Sequence, residues 1–303
     1  MRASKTLVMM VMAASLVSIG IAPAAQEDPE STPILQGPYL GQTPPGTAPQ
    51  LFAPKFVSKP LKKEYGCSFT PDGQEFYFSR EGNTWLTTLL PEGWSKPVKA
   101  PWNTPKVDME PHVTPDGTHL WFSSNRKLDG VKVGPGLWVM ERMGDAWGAP
   151  VYHGPGMYPT TGANGNLYFT DLNNPEGDRI AFQRFEDGQY GPMEPLGDEV
   201  NGSLPNAHPC ISPDETFLVF DSPRPGGAED SWHLFVTFRM PDGSWSQPQR
   251  IEETGVSNIA SLSPDGLYLF FTRDGDIYWV SAEILEKYRP AGAGAPYSGG
   301  GAP

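Results

Sequence analysis

Cysteine, positive charge and long apolar runs are all scarce in this sequence. Cys67 and Cys210 are the only cysteines, 143 residues apart. They exclude a disulfide framework and a four-thiolate zinc site, and leave room for at most one long-range bridge. Lys and Arg total 22 against 35 Asp and Glu, a formal net charge of −13. Such a surface repels phosphate backbones and anionic headgroups, so the composition predicts no nucleic-acid partner and no docking on acidic lipid. The one extended apolar stretch, Leu7–Ile21, is short for a bilayer span. The sequence also contains no HExxH, no GxSxG, no P-loop and no dinucleotide fingerprint, so no familiar catalytic motif announces an enzyme.

Helix breakers and aromatic residues are abundant. The 303 residues include 34 Gly and 34 Pro, with 12% aromatics and 9 Trp. That is too aromatic for a disordered chain and too rich in Gly and Pro for a helical bundle. Many short strands joined by tight turns satisfy both counts, which predicts an all-β fold.

The first 25 residues predict export. Arg2 and Lys5 form a basic segment, Leu7–Ile21 an apolar one, and Ala22-Pro23-Ala24 a small-x-small cleavage site, the pattern of a signal peptide over 1–24. An uncleaved anchor is the alternative. Residues 25–46 read as an extended lead-in, and 291–303, rich in Gly and Ala, as a disordered tail. The folded unit is then 47–290. After cleavage no membrane insertion is expected, and the destination is the periplasm or the medium.

Self-comparison organises this unit. Thr70-Pro71-Asp72-Gly73 recurs as Thr114-Pro115-Asp116-Gly117, Gly162-Ala163-Asn164-Gly165, Ser212-Pro213-Asp214-Glu215 and Ser263-Pro264-Asp265-Gly266, at spacings of 44, 48, 50 and 51 residues. Each copy is followed by an aromatic-aliphatic strand (EFYFSR, HLWFSSNR, NLYFTD, FLVFDS, YLFFTR) and then by a third strand. After the first four copies comes a Pro-interrupted segment such as WSKPVKAP or WGAPVYHG. Proline cannot donate to a ladder, so that segment must be an edge strand. A period of this kind denotes a propeller or array. The fifth copy lacks its Pro-bearing strand, while APQLFAP at 48–54 precedes the first copy. The reading is a five-bladed β-propeller of four-stranded antiparallel blades, closed by an N-terminal strand that removes an open edge. The repeated Asp-Gly pairs are read as turn-forming, not catalytic.

The SPDG-type repeat, followed by an aromatic strand and an arginine, resembles the WD40-like (PD40) repeat of TolB-type β-propellers over about 47–290. This resemblance implies a fold and leaves function open, because the family includes periplasmic scaffolds as well as domains attached to hydrolases. Many exported proteins of this type have no assigned activity.

Counting back from the second tetrapeptide position aligns the five inner strands. Seven back stand Glu64, Asp108, Gly156, Asn206 and Ser257; five back, Gly66, Glu110, Tyr158, His208 and Ile259; three back, Ser68, His112, Thr160, Cys210 and Ser261. A purely structural ring would repeat one residue, whereas these positions differ. The expected ligand site is therefore the channel mouth, formed by Glu64, Asp108, Glu110, His112, Tyr158, Asn206 and His208. Each has a bland alternative in backbone or inter-blade hydrogen bonding. Glu110, His112 and His208 are a possible metal set, but no metal or cofactor is expected. Arg80, Arg126, Arg224 and Arg273 recur after the second strand and are expected to be structural. The preferred function is an exported, monomeric binding module for a protein or glycan, without catalysis. The alternative is a carbohydrate-active enzyme, a glycosidase or polysaccharide lyase, using channel carboxylates and histidines.

Overall fold

The computed structural model describes residues 35–202, 205–223 and 231–294, all within one compact unit. The predicted signal peptide, residues 25–34 of the lead-in, Arg224 and the end of the tail lie outside the described residues.

Each repeat folds as an antiparallel ladder. In the first, Glu64–Phe69 pairs with Glu75–Arg80, that strand with Asn83–Leu90, and the last with the short Val98–Lys99. The second orders Asp108–Val113, His119–Ser124, Gly136–Met143 and Val151–Pro155 in the same way. The third runs through Met157–Thr161, Leu167–Asp171, Arg179–Gln183 and Glu194–Pro195. The fourth runs through Ala207–Ile211, Phe217–Ser222, His233–Phe238 and Gln249–Arg250. The fifth contains Asn258–Leu262, Tyr268–Arg273 and Asp276–Ser281. Its outer place is taken by Gln50–Leu51, which pairs with Asp276–Ser281. The Pro-bearing segments do form the outer strands, and in four of the five sheets only two residues of that strand join the ladder.

The turns explain the tetrapeptide. Asp72 Oδ1 accepts from Thr70 Oγ1 at 2.6 Å and from Gln74 N–H at 3.0 Å. Asp116, Asp214 and Asp265 repeat this geometry. The third repeat keeps the turn with Asn164 in the aspartate's place, accepting from Asn166 N–H at 3.0 Å. The fourth position has φ between 57° and 88° in all five copies, which is why glycine stands in four of them.

Successive residues of the second strands serve different cores, because side chains alternate across a sheet. Phe76 and Phe78 pack with Phe270 and Trp279 of the fifth sheet, whereas Tyr77 packs with Leu120, Phe122 and Trp138 of the second. Five such clusters are present, each between two sheets, including one between the fifth and the first. With both faces buried, these strands read as nearly continuous apolar runs. The architecture is all-β and propeller-like.

Candidate functional site

The inner strands share a kink that organises the channel. The register slips after Tyr65, Met109, Met157, Ala207 and Asn258. The residue just beyond, five back from the turn, has φ of 49° at Gly66, 59° at Glu110, 51° at Tyr158, 50° at His208 and 54° at Ile259. Each is a β-bulge, a device that re-aims a side chain. Four of these residues are not glycine, so the left-handed conformation is held by the surroundings. The holding contact comes from the preceding sheet. Glu110 N–H donates to Ser79 Oγ at 2.7 Å, Tyr158 N–H to Ser123 Oγ at 2.8 Å, and His208 N–H to Thr170 Oγ1 at 2.9 Å. Ile259 N–H donates to Asp221 Oδ2 at 2.8 Å. At the corresponding fifth position the pattern lapses: Thr272 Oγ1 is buried without a partner among the described residues.

The strand-start acids are neutralised inside their own sheets. Arg80 Nε donates to Glu64 Oε1 at 2.5 Å, and its Nη2 to the Val57 carbonyl at 2.7 Å. Arg126 Nη2 donates to Asp108 Oδ1 at 2.7 Å and to the Trp102 carbonyl at 3.0 Å. Both guanidinium groups also lie over aromatic rings, Arg80 over Phe78 and Trp85, Arg126 over Phe122 and Trp138. Burial nevertheless raises the Glu64 carboxyl above its ordinary value, against the pull of Arg80. These pairs join strands of one sheet, and each arginine also caps a backbone carbonyl, a structural role for both. Asn206 is fully buried, its N–H donating to the Asp178 carbonyl at 2.9 Å.

Glu110, Tyr158 and His208 do converge. His208 Nδ1 lies 2.9 Å from Asp221 Oδ2, and its Nε2 lies 3.9 Å from Glu110 Oε1. The Tyr158 ring stands edge-on to the imidazole at 5.2 Å, and its hydroxyl donates to the Ala260 carbonyl across the channel. Burial alone would depress the His208 pKa, but Asp221, Glu110 and Asp178 raise it to about 9, so the ring is a cation at neutral pH. Burial raises the Glu110 carboxyl, opposed by His208. Glu110 Oε2 has no partner among the described residues. Asp221 was not singled out from the sequence, although a signal was there: it is the one acid where the other copies carry Ser79, Ser123, Thr170 and Thr272.

His112 stands apart from this cluster. Its Nε2 accepts from Thr161 N–H at 3.0 Å and lies 2.9 Å from Thr161 Oγ1. Burial lowers its pKa to about 4, so it is neutral. No set of three or more His, Cys, Asp or Glu among the described residues is arranged to hold a metal. The two thiols are free and buried, and burial pushes both up to about 12.

An opening lies at the turn end of the inner strands, opposite the strand starts. A cavity of about 370 Å³ is floored by Ser68, His112, Thr160, Cys210 and Ser261, the five three-back positions, and rimmed by Pro71, Pro115, Pro213 and Pro264 of the turns. Of the seven predicted site residues, His112 alone lines it. On the strand-start side a broader hollow of about 570 Å³ is lined by Lys63, Tyr65, Trp232, Ile259 and Arg273, among others.

No protein-family model and no curated protein matches this chain. Solved structures do match. A TolB-assigned protein of Agrobacterium tumefaciens aligns over 70% of each chain at 19% identity with a TM-score of 0.50. The β-propeller domain of Cps50 (Swd1) from Myceliophteria thermophila covers 72% of this chain and 70% of its own at 13% identity, TM-score 0.43. A GH43 endo-arabinanase from Bacillus licheniformis covers 74% and 94% at 11% identity, TM-score 0.46. At these identities the likeness concerns fold alone, and it agrees with the propeller-like architecture.

Proposed function

We propose that this chain is an exported, five-bladed propeller, closed by its N-terminal strand, that acts as a binding module for a protein or glycan at the mouth of its channel. Ring closure is supported by the pairing of Gln50–Leu51 with the last strand and by the aromatic core between fifth and first sheets. The export reading rests on the N-terminal pattern, with cleavage after Ala24. The module is monomeric and does not bind nucleic acid, in keeping with its −13 charge.

One observation carries the non-catalytic reading: the channel carboxylates are committed. Glu64 and Asp108 are locked onto arginines, and Asp221 onto His208 and a backbone N–H. A glycosidase needs two carboxyls facing a shared, accessible space about 5–9 Å apart. Glu110 keeps a free oxygen but is only 3% exposed. The test is a glycan-array and hydrolysis screen of the exported protein, run with and without chelator. Saturable binding without turnover is expected. Turnover abolished by Glu110→Gln would favour the carbohydrate-active enzyme instead.

A further inference from the structure

The cavity at the turn end carries a more specific message than its position. None of its lining groups is ionised. His112 is neutral because burial lowers its pKa to about 4, and the Cys210 thiol is held protonated for the same reason. An ionised ligand would shed its hydration there and meet no countercharge, a loss of several kcal/mol on general grounds.

The hydroxyls of the lining are also spoken for. Ser68 Oγ accepts from Val113 N–H at 3.0 Å, and Thr160 Oγ1 donates to the Pro209 carbonyl at 2.9 Å. Ser261 Oγ pairs with Cys67 Sγ at 3.3 Å. Thr114 and Ser263 donate to the aspartates of their turns at 2.6 Å. A sugar, with a hydroxyl on nearly every carbon, would leave most of its groups unpaired in such a site.

His112 is the exception. Thr161 N–H can only donate, so Nε2 must be the acceptor, and the ring proton of the neutral imidazole sits on Nδ1. Nδ1 has no hydrogen bond among the described residues. The same cavity is lined by Phe69, Val113, Ile211, Leu262 and the proline rim.

We infer that this cavity binds an uncharged, mainly apolar, ring-sized group carrying one hydrogen-bond acceptor, to which His112 Nδ1–H donates. The volume of about 370 Å³ is at the small end of ligand sites. This inference rests on the binding-module reading and narrows it: apolar contact supplies the affinity, and the single donor fixes orientation.

Four near-isosteric probes separate the alternatives: acetophenone (neutral, one acceptor), ethylbenzene (no acceptor), benzoate (anion) and benzylamine (cation). Each is titrated into the mature protein at pH 7, with the His112 ring nitrogens followed by NMR. Acetophenone is expected to bind at least tenfold more tightly than benzoate or benzylamine and several-fold more tightly than ethylbenzene, and to shift the Nδ1 signal. Ser261→Leu, which fills the cavity without touching the imidazole, should abolish that binding. His112→Phe should remove the preference over ethylbenzene, and Ser261→Leu keeps the test decisive if that variant does not fold. Equal or tighter binding of an ion, acetophenone binding that survives Ser261→Leu, or no binding by any probe overturns the inference. Failure of the broader reading looks different: turnover in the hydrolysis screen, or no saturable protein or glycan ligand anywhere on the protein.

Discussion

Phe52 is the point at which the N-terminal strand is most exposed to test. It follows Gln50–Leu51, donates its N–H to the Ile277 carbonyl at 2.8 Å, and is fully buried. Its ring meets Phe270 at 5.0 Å, Trp279 at 5.2 Å, Phe76 at 5.3 Å and Phe69 at 6.3 Å. Two of those partners belong to the first sheet and two to the fifth, so one side chain fills the seam between the ends of the chain. Truncating a buried Phe to Ala costs about 3–5 kcal/mol, the transfer energy plus the cavity left behind. Against a total stability of about 5–15 kcal/mol, that is roughly a fifth or more. For a domain of this size it corresponds to a fall in Tm of roughly 6–20 °C. Urea unfolding of Phe52→Ala, followed by circular dichroism and Trp fluorescence, measures it. Leu61→Ala is the control, since Leu61 is fully exposed and should change stability by no more than about 0.5 kcal/mol. If Phe52→Ala costs less than about 1 kcal/mol, the N-terminal strand is not part of the cooperative unit, and the closure proposed for it fails.

Three further outcomes follow from the channel. Arg80→Met strands the buried Glu64 carboxyl and should cost about 3–5 kcal/mol; adding Glu64→Met should restore most of it, and no recovery would refute the pairing. Ser79→Ala leaves the bulge N–H of Glu110 unsatisfied and should cost about 1–3 kcal/mol, read by the same denaturation assay, with an unchanged midpoint as the contrary result. The His208 pKa is raised from 6.5 to about 9, so its contribution is fully present below pH 6.5 and lost as pH rises towards 9. Stability should therefore decline across that window, and Asp221→Asn, which keeps an acceptor for Ile259 N–H, should flatten the decline; a flat wild-type profile would contradict the charged imidazole.

The repeat made the fold legible. Glycine at the turn's last position, aspartate before it and proline in the outer strand each answer to one backbone requirement, and those requirements recur in phase. The same periodicity aligned the channel positions, and it brought together Glu110, Tyr158 and His208. The alignment could not show which end of the channel opens. It also could not show the bulge, which has no residue signature: Gly66, Glu110, Tyr158, His208 and Ile259 share a left-handed conformation without sharing a residue type. Nor could it distinguish a free acid from a paired one, since Glu64 and Arg80 are 16 residues apart and meet only through strand pairing.

The pH behaviour of the two channel histidines shows what such a ring can do with one scaffold. Sequence reasoning gives both an ordinary imidazole value near 6.5 and predicts that a ligand bridging them would be lost as pH drops through it. In the fold, His208 faces Asp221 and Glu110 and is held charged, whereas His112, two positions nearer the turn in its own repeat, faces a backbone N–H and is held neutral. The His208 cluster is thus ionic, and the cavity lined by His112 is uncharged. A ligand contacting His112 should bind with an affinity that is level from pH 8 to about 5 and weakens only as the pH approaches 4, where that ring takes up a proton. An affinity that instead breaks near 6.5 would mean that His112 is solvated in the working protein, and the neutral-cavity argument would fall with it.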